Sequence, residues 1–138
     1  MTTPSSIALA GFVTWALLVV LMELVRTRLV LTGRVSPAGF VPDNANLSPF
    51  MQRLARAYAN CVENIPILGG LLLVAIVTGR APVTDPLACV LLGARVVQSS
   101  IHLVSVSPPM VTARFAAFAV QLGIGLYWAW KLLFTAGA

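Results

Sequence analysis

The chain has 138 residues, 59% of them hydrophobic and only 9% charged, with a mean hydropathy of +0.93. A soluble domain carries about a quarter charged residues, so this composition excludes a soluble protein and fits one compact membrane bundle. The net charge of +5 is not gathered on a soluble face, which argues against nucleic acid as a partner and leaves the basic residues to set topology and hold an anion.

The segment Met1–Ser6 carries no basic residue and no small-residue cleavage site follows the next apolar run. That run is therefore expected to be a retained first span and not a signal peptide. A membrane helix needs about 20 mostly apolar residues. On that criterion four helices are expected, over about 7–30, 52–77, 85–106 and 110–135, as a single antiparallel all-α transmembrane domain. The connection 32–49, rich in Gly, Pro, Asp and Asn, reads as a long irregular loop. The segments 79–86 and 105–112, each with two prolines, read as short turns.

Basic residues set the orientation. Arg26, Arg28, Arg34, Arg53 and Arg56 flank the first loop, whereas the second loop has only Arg80. The first loop is therefore expected on the cytoplasmic side, with both termini opposite. Tyr127, Trp128, Trp130 and Lys131 are expected to anchor the far end of the fourth helix at the interface. Cys61 and Cys89 lie in apolar stretches and read as packed thiols. One histidine and the absence of any ligand-spaced motif argue against a metal site.

Two polar stripes interrupt these spans. Arg56, Asn60, Glu63 and Asn64 follow i, i+4, i+7, i+8 spacing, and Arg95, Gln98, Ser99 and His102 follow i, i+3, i+4, i+7. Each set shares one helix face. An ionisable group in hydrocarbon costs roughly 2.5–3.5 kcal/mol even on the mildest scale, so such groups face the bundle interior and act there. With antiparallel helices Glu63 and Arg95 fall at similar depth, where they could pair across the two helices. The fourth helix adds Arg114 and Gln121, and the first adds Glu23 and Arg26. Pro66 removes a backbone donor from the second helix and predicts a kink beside Glu63. From spacing alone the stripes are either an ion pair fixing helix register or an arginine-rich pocket for an anion.

The run Arg56-Ala57-Tyr58-Ala59-Asn60-Cys61-Val62-Glu63-Asn64-Ile65-Pro66 resembles the second-helix signature of the MAPEG family, the membrane-associated proteins in eicosanoid and glutathione metabolism. The run Arg95-Val96-Val97-Gln98-Ser99-Ser100-Ile101-His102 is similar to the family's third-helix motif. The likeness is closer to bacterial members and covers nearly the whole chain. It implies a four-helix homotrimer in the membrane, here a bacterial inner membrane. It also implies glutathione, or a similar anionic thiol, as co-substrate, and a lipophilic substrate entering from the bilayer. Arg26, Arg56, Asn60, Glu63, Arg95, Gln98 and His102 would then bind or support glutathione, and Arg114 would stabilise its thiolate. Three positions depart from the family: Gln98 where many members have histidine, Ala59 where one has arginine, and Phe118 where that one has tyrosine. The expected function is a membrane glutathione transferase or peroxidase. A non-catalytic scaffold or accessory subunit is the first alternative, and a small proton-coupled exporter working through Glu23 is the second.

Overall fold

A computed structural model describes residues 2–104 and 107–135. Four helices are long and apolar enough to cross a membrane: α1 (Pro4–Leu31), α2 (Pro49–Val77), α3 (Ala81–Val104) and α4 (Pro108–Phe134). Among the described residues there is no strand. The residues 105 and 106, expected to end the third helix, lie outside the described residues.

Every helix begins earlier than hydropathy alone suggests, and each begins on a proline-bearing turn. Thr3 caps α1 reciprocally: its Oγ1 accepts from Ser6 N at 3.1 Å, while Thr3 N donates to Ser6 Oγ at 2.8 Å. Ser48 Oγ accepts from Met51 N at 3.3 Å at the start of α2, ahead of Pro49. Ser107 takes the cap conformation before Pro108. The first turn of a helix has backbone N–H groups with no intrahelical partner, so proline fits there without losing a bond. Sequence reading assigned these prolines to loops. They are in fact the opening residues of the spans.

Two helices are interrupted. A 3₁₀ turn, Ala16–Leu18, divides α1, and a π-helical turn, Ile65–Gly69, follows Asn64 in α2. The second interruption falls where Pro66 has no N–H to offer, as the sequence led one to expect.

The centre of the bundle is α3, which packs on the other three helices, while α1 and α4 hardly touch. The main core joins Ala8 and Phe12 of α1, Leu68 and Leu72 of α2, Ala88 and Leu91 of α3, and Ile124 and Trp128 of α4. Trp128 is wholly buried there and is not an interfacial anchor, whereas Tyr127 and Trp130 are exposed. The indole lies on the inward side of α4, four residues from Ile124, so packing decides its place. A smaller cluster of Met22, Met51, Leu54 and Ala55 closes the end next to the first loop.

Polar clamps hold both ends. At one, Arg26 donates to Asn44 Oδ1 (2.5 Å from Nη2) and Val41 O (3.1 Å), pairs with Glu23 (3.1 Å) and stacks over Phe40 at 5.2 Å. Asn44, at φ 55°, is fully buried and donates to Met51 O, so the long loop is pinned on both sides. At the other end Asp85 of α3 accepts from Ser5 N (3.0 Å) and Ser5 Oγ (2.6 Å) at the start of α1. Arg80 there donates to the carbonyls of Lys131, Leu132 and Thr135, completing the C-terminus of α4. The lateral surface is apolar, with Leu24, Val77, Val97, Phe115, Leu126 and Leu133 all exposed. That much apolar surface belongs against lipid.

Candidate functional site

The third helix carries the interior polar residues. Arg95 is wholly buried, and Gln98 and Ser99 are nearly so. Three residues, a little under one turn, separate Arg95 from Gln98, so both face α2, where they meet Asn60. Asn60 Oδ1 accepts from Arg95 Nη1 and, at 3.1 Å, from Gln98 Nε2. Gln98 Oε1 accepts in turn from Gln121 Nε2 of α4 at 2.8 Å, and the same Nε2 donates to Ala117 O at 3.1 Å. A chain of hydrogen bonds thus runs from Arg95 of α3 to Asn60 of α2, back to Gln98 of α3 and on to Gln121 of α4.

The Arg95 guanidinium lies between two aromatic rings, Phe12 at 5.2 Å and Phe118 at 6.0 Å. Its Nε and Nη2 have no hydrogen-bond partner among the described residues. The ring faces supply the negative potential that an unpaired cation needs away from water. Arg95 and Glu63 form no ion pair, contrary to the expectation from depth. Glu63 is exposed, as is Arg56. The physical reason is angular. The α2 stripe spans about 100° of the helix circumference at 3.6 residues per turn, and only its Asn60–Asn64 edge turns inward, beside buried Ala57 and Cys61. Arg56, Ala59 and Glu63 form the outward edge.

A cavity of about 230 Å³ opens beside this network. Its polar lining is Asn60, Gln98, His102 and Arg114, and its apolar wall is Val111, Phe115 and Phe118. Four residues expected from the sequence are therefore brought together from three helices. Arg95 stands behind the cavity and holds Asn60. Arg26 does not line it, and its donors are taken by the first-loop clamp. Arg56 instead lines a shallow surface pocket with Pro42, Asp43, Ala55 and Ala59. Sequence reading missed the part played by Gln121 and by the aromatic wall. The signal for Gln121 was present, a lone amide seven residues after Arg114 in an otherwise apolar helix. Nothing in spacing distinguishes Phe118 from a lipid-facing phenylalanine.

The fold and this cavity define a multi-pass integral membrane protein whose cationic and amide groups gather inside a four-helix bundle. The MAPEG family model matches residues 7–134, nearly the whole chain, and the chain belongs to the MAPEG family. Membership places it, at the coarse level, among membrane proteins of glutathione-dependent transfer and peroxide chemistry. No curated protein and no solved structure was found to match.

Proposed function

We propose that the protein is a membrane-bound glutathione transferase or peroxidase, with the cavity between α2, α3 and α4 as the thiol end of its site. The observation that carries this reading is the meeting of Arg114, His102, Gln98 and Asn60 around one cavity whose other wall, Phe115, is exposed on the lipid-facing surface. Arg114 is always charged, so it favours thiolate over thiol and lowers the thiol pKa. The proton released goes to water. Thiolate then adds to a lipophilic electrophile that reaches the cavity past Val111 and Phe115. In the peroxidase variant, two glutathione molecules reduce one hydroperoxide to alcohol and water and leave as the disulfide.

Arg56 and Glu63, facing outward, would meet one glutathione carboxylate and the ammonium from a neighbouring copy in a homotrimer. Arg95 acts through Asn60, and Arg26 through the loop it holds. The orientation that fits the arginines around the first loop has that loop cytoplasmic and both termini opposite, in a bacterial inner membrane. A second reading, a scaffold without turnover, rests on Phe118, which puts a ring with no hydroxyl in the cavity one turn from Arg114. Glu23, which an exporter would need free, is paired with Arg26.

The deciding measurement is glutathione binding to detergent-purified protein, with ultraviolet absorbance for thiolate. Thiolate absorbance in the native protein, lost in Arg114→Ala and kept in Arg28→Ala, supports catalysis. No binding at millimolar glutathione would sink the reading, and binding without thiolate would favour the scaffold.

A further inference from the structure

The hydrogen-bond chain through the core has a polarity, and both of its ends are fixed by groups with no choice. At one end Ala117 O is a backbone carbonyl and can only accept, so Gln121 must turn its Nε2 toward it. The same Nε2 faces Gln98, which must therefore present Oε1 to Gln121 and Nε2 to Asn60. At the other end Arg95 can only donate, so Asn60 must present Oδ1. The two ends demand the same orientation of Asn60. Turning any one amide over would set oxygen against oxygen or nitrogen against nitrogen at its neighbours. Asn60 Oδ1 is saturated by two donors from α3, and Asn60 Nδ2 makes no hydrogen bond to the described residues. Asn60 lines the cavity that holds Arg114 and His102, so Nδ2 is the amide atom left to face it.

We propose that Gln121 is a positioning residue: through Gln98, and together with Arg95, it locks Asn60 so that its Nδ2 donates into the cavity, to a carboxylate oxygen of the ligand. The consequence is selectivity. With the amide locked, Asn60 and Arg114 offer the cavity donors only, so an anionic oxygen is held most strongly there, an ester carbonyl more weakly, and a ligand ammonium is not matched. Gln121 itself is wholly buried and does not line the cavity. The ligand half of this inference rests on the glutathione reading above, and the amide orientation does not.

The test uses the full-length protein in nanodiscs and the variant Gln121→Met, which keeps the volume and removes the donor. In the ligand-free native protein the side-chain amide protons of Asn60, assigned by their loss in Asn60→Asp, should exchange with water at least about tenfold faster than those of Gln98, which are tied to Asn60. In Gln121→Met the Gln98 amide should exchange faster, because only its bond to Asn60 then holds it. Binding is then compared for glutathione, its glycyl ethyl ester and the analogue lacking the γ-glutamyl carboxylate. A hydrogen bond to a charged oxygen is worth about tenfold or more in affinity. The native protein should lose about that factor on removal of one of the two carboxylates, while Gln121→Met, in which Arg95 alone holds Asn60, should lose clearly less on that removal. A purely structural role would weaken all three ligands equally and leave the carboxylate preference intact, which overturns the proposal. Protected Asn60 amide protons in the native protein overturn it as well. If native protein binds no glutathione at all, the function above falls, and the amide exchange alone decides the orientation.

Discussion

Asn60 accepts two hydrogen bonds from α3, one of them from a buried cation, and this makes its contribution measurable. Replacing Asn60 by alanine removes both bonds and leaves Arg95 with only its two aromatic neighbours. A bond from a charged donor contributes about 1.5–3 kcal/mol and a neutral one about 1 kcal/mol, so Asn60→Ala should destabilise the bundle by about 3 kcal/mol. Replacing Arg95 by methionine first removes the charge and with it the larger of the two bonds. In that background Asn60→Ala should lose only the Gln98 bond, about 1 kcal/mol. The expected coupling between the two positions is therefore about 2 kcal/mol, well above the ~0.6 kcal/mol average for interhelical hydrogen bonds in a membrane bundle. The assay is reversible unfolding in mixed micelles of sodium dodecyl sulfate and a mild detergent, followed by tryptophan fluorescence, on the four proteins of the cycle. Additive effects, with a coupling below about 0.5 kcal/mol, would refute the view that Asn60 is the anchor of the buried guanidinium.

Two further outcomes follow from packing and from the loop clamp. A Cβ on Gly125 would lie 2.8 Å from Leu68 Cδ2, deep in the core, whereas one on Gly123 meets nothing. Gly125→Val should thus cost about 1–3 kcal/mol in the same unfolding assay, while Gly123→Ala should be neutral or slightly stabilising. Arg26→Met should release the first loop, raising its rate of proteolytic nicking several-fold in the folded protein, with glutathione affinity changed less than about threefold. A large loss of affinity without extra cleavage would return Arg26 to the ligand site.

The helical class and the number of spans were legible because a membrane leaves few alternatives. Backbone groups must be satisfied within each span, and four long apolar stretches can then only be four helices. The helix starts were less legible. Pro49, Pro82 and Pro108 punctuate a sequence as loop residues do, yet at the first turn they cost nothing. The polar stripes were legible as stripes, since Arg95, Gln98 and Ser99 are all buried together. Their partners were not. Depth along two antiparallel helices puts Glu63 level with Arg95, but rotation about α2 decides which residue points at it. That rotation is set by Ala57, Cys61 and Leu68 packing inward, a choice spread over many small contacts. Trp128 shows the same limit. Its neighbours Tyr127 and Trp130 are exposed, and only the bundle's shape puts the middle indole inside.

The rotation of α2 also divides the expense of its charges. Inward, Asn60 and Asn64 are neutral, and Asn64 Nδ2 donates to Asn60 O at 2.8 Å. Outward, Arg56 and Glu63 are exposed on a helix whose other exposed residues there, Val62 and Ile67, suit lipid. Glu63 lies about 10 Å further into the span than Arg56, at 1.5 Å per residue. An ionised carboxylate at that depth cannot face acyl chains without a penalty of roughly 2.5–3.5 kcal/mol. A neighbouring copy that brings an arginine or a ligand ammonium to it removes that penalty, and a monomer in lipid does not. The outward edge of α2 is therefore the surface on which the proposed homotrimer and its ligand would form together. On this argument, assembly and glutathione occupancy should strengthen each other, because the ligand bridges two copies across these charges.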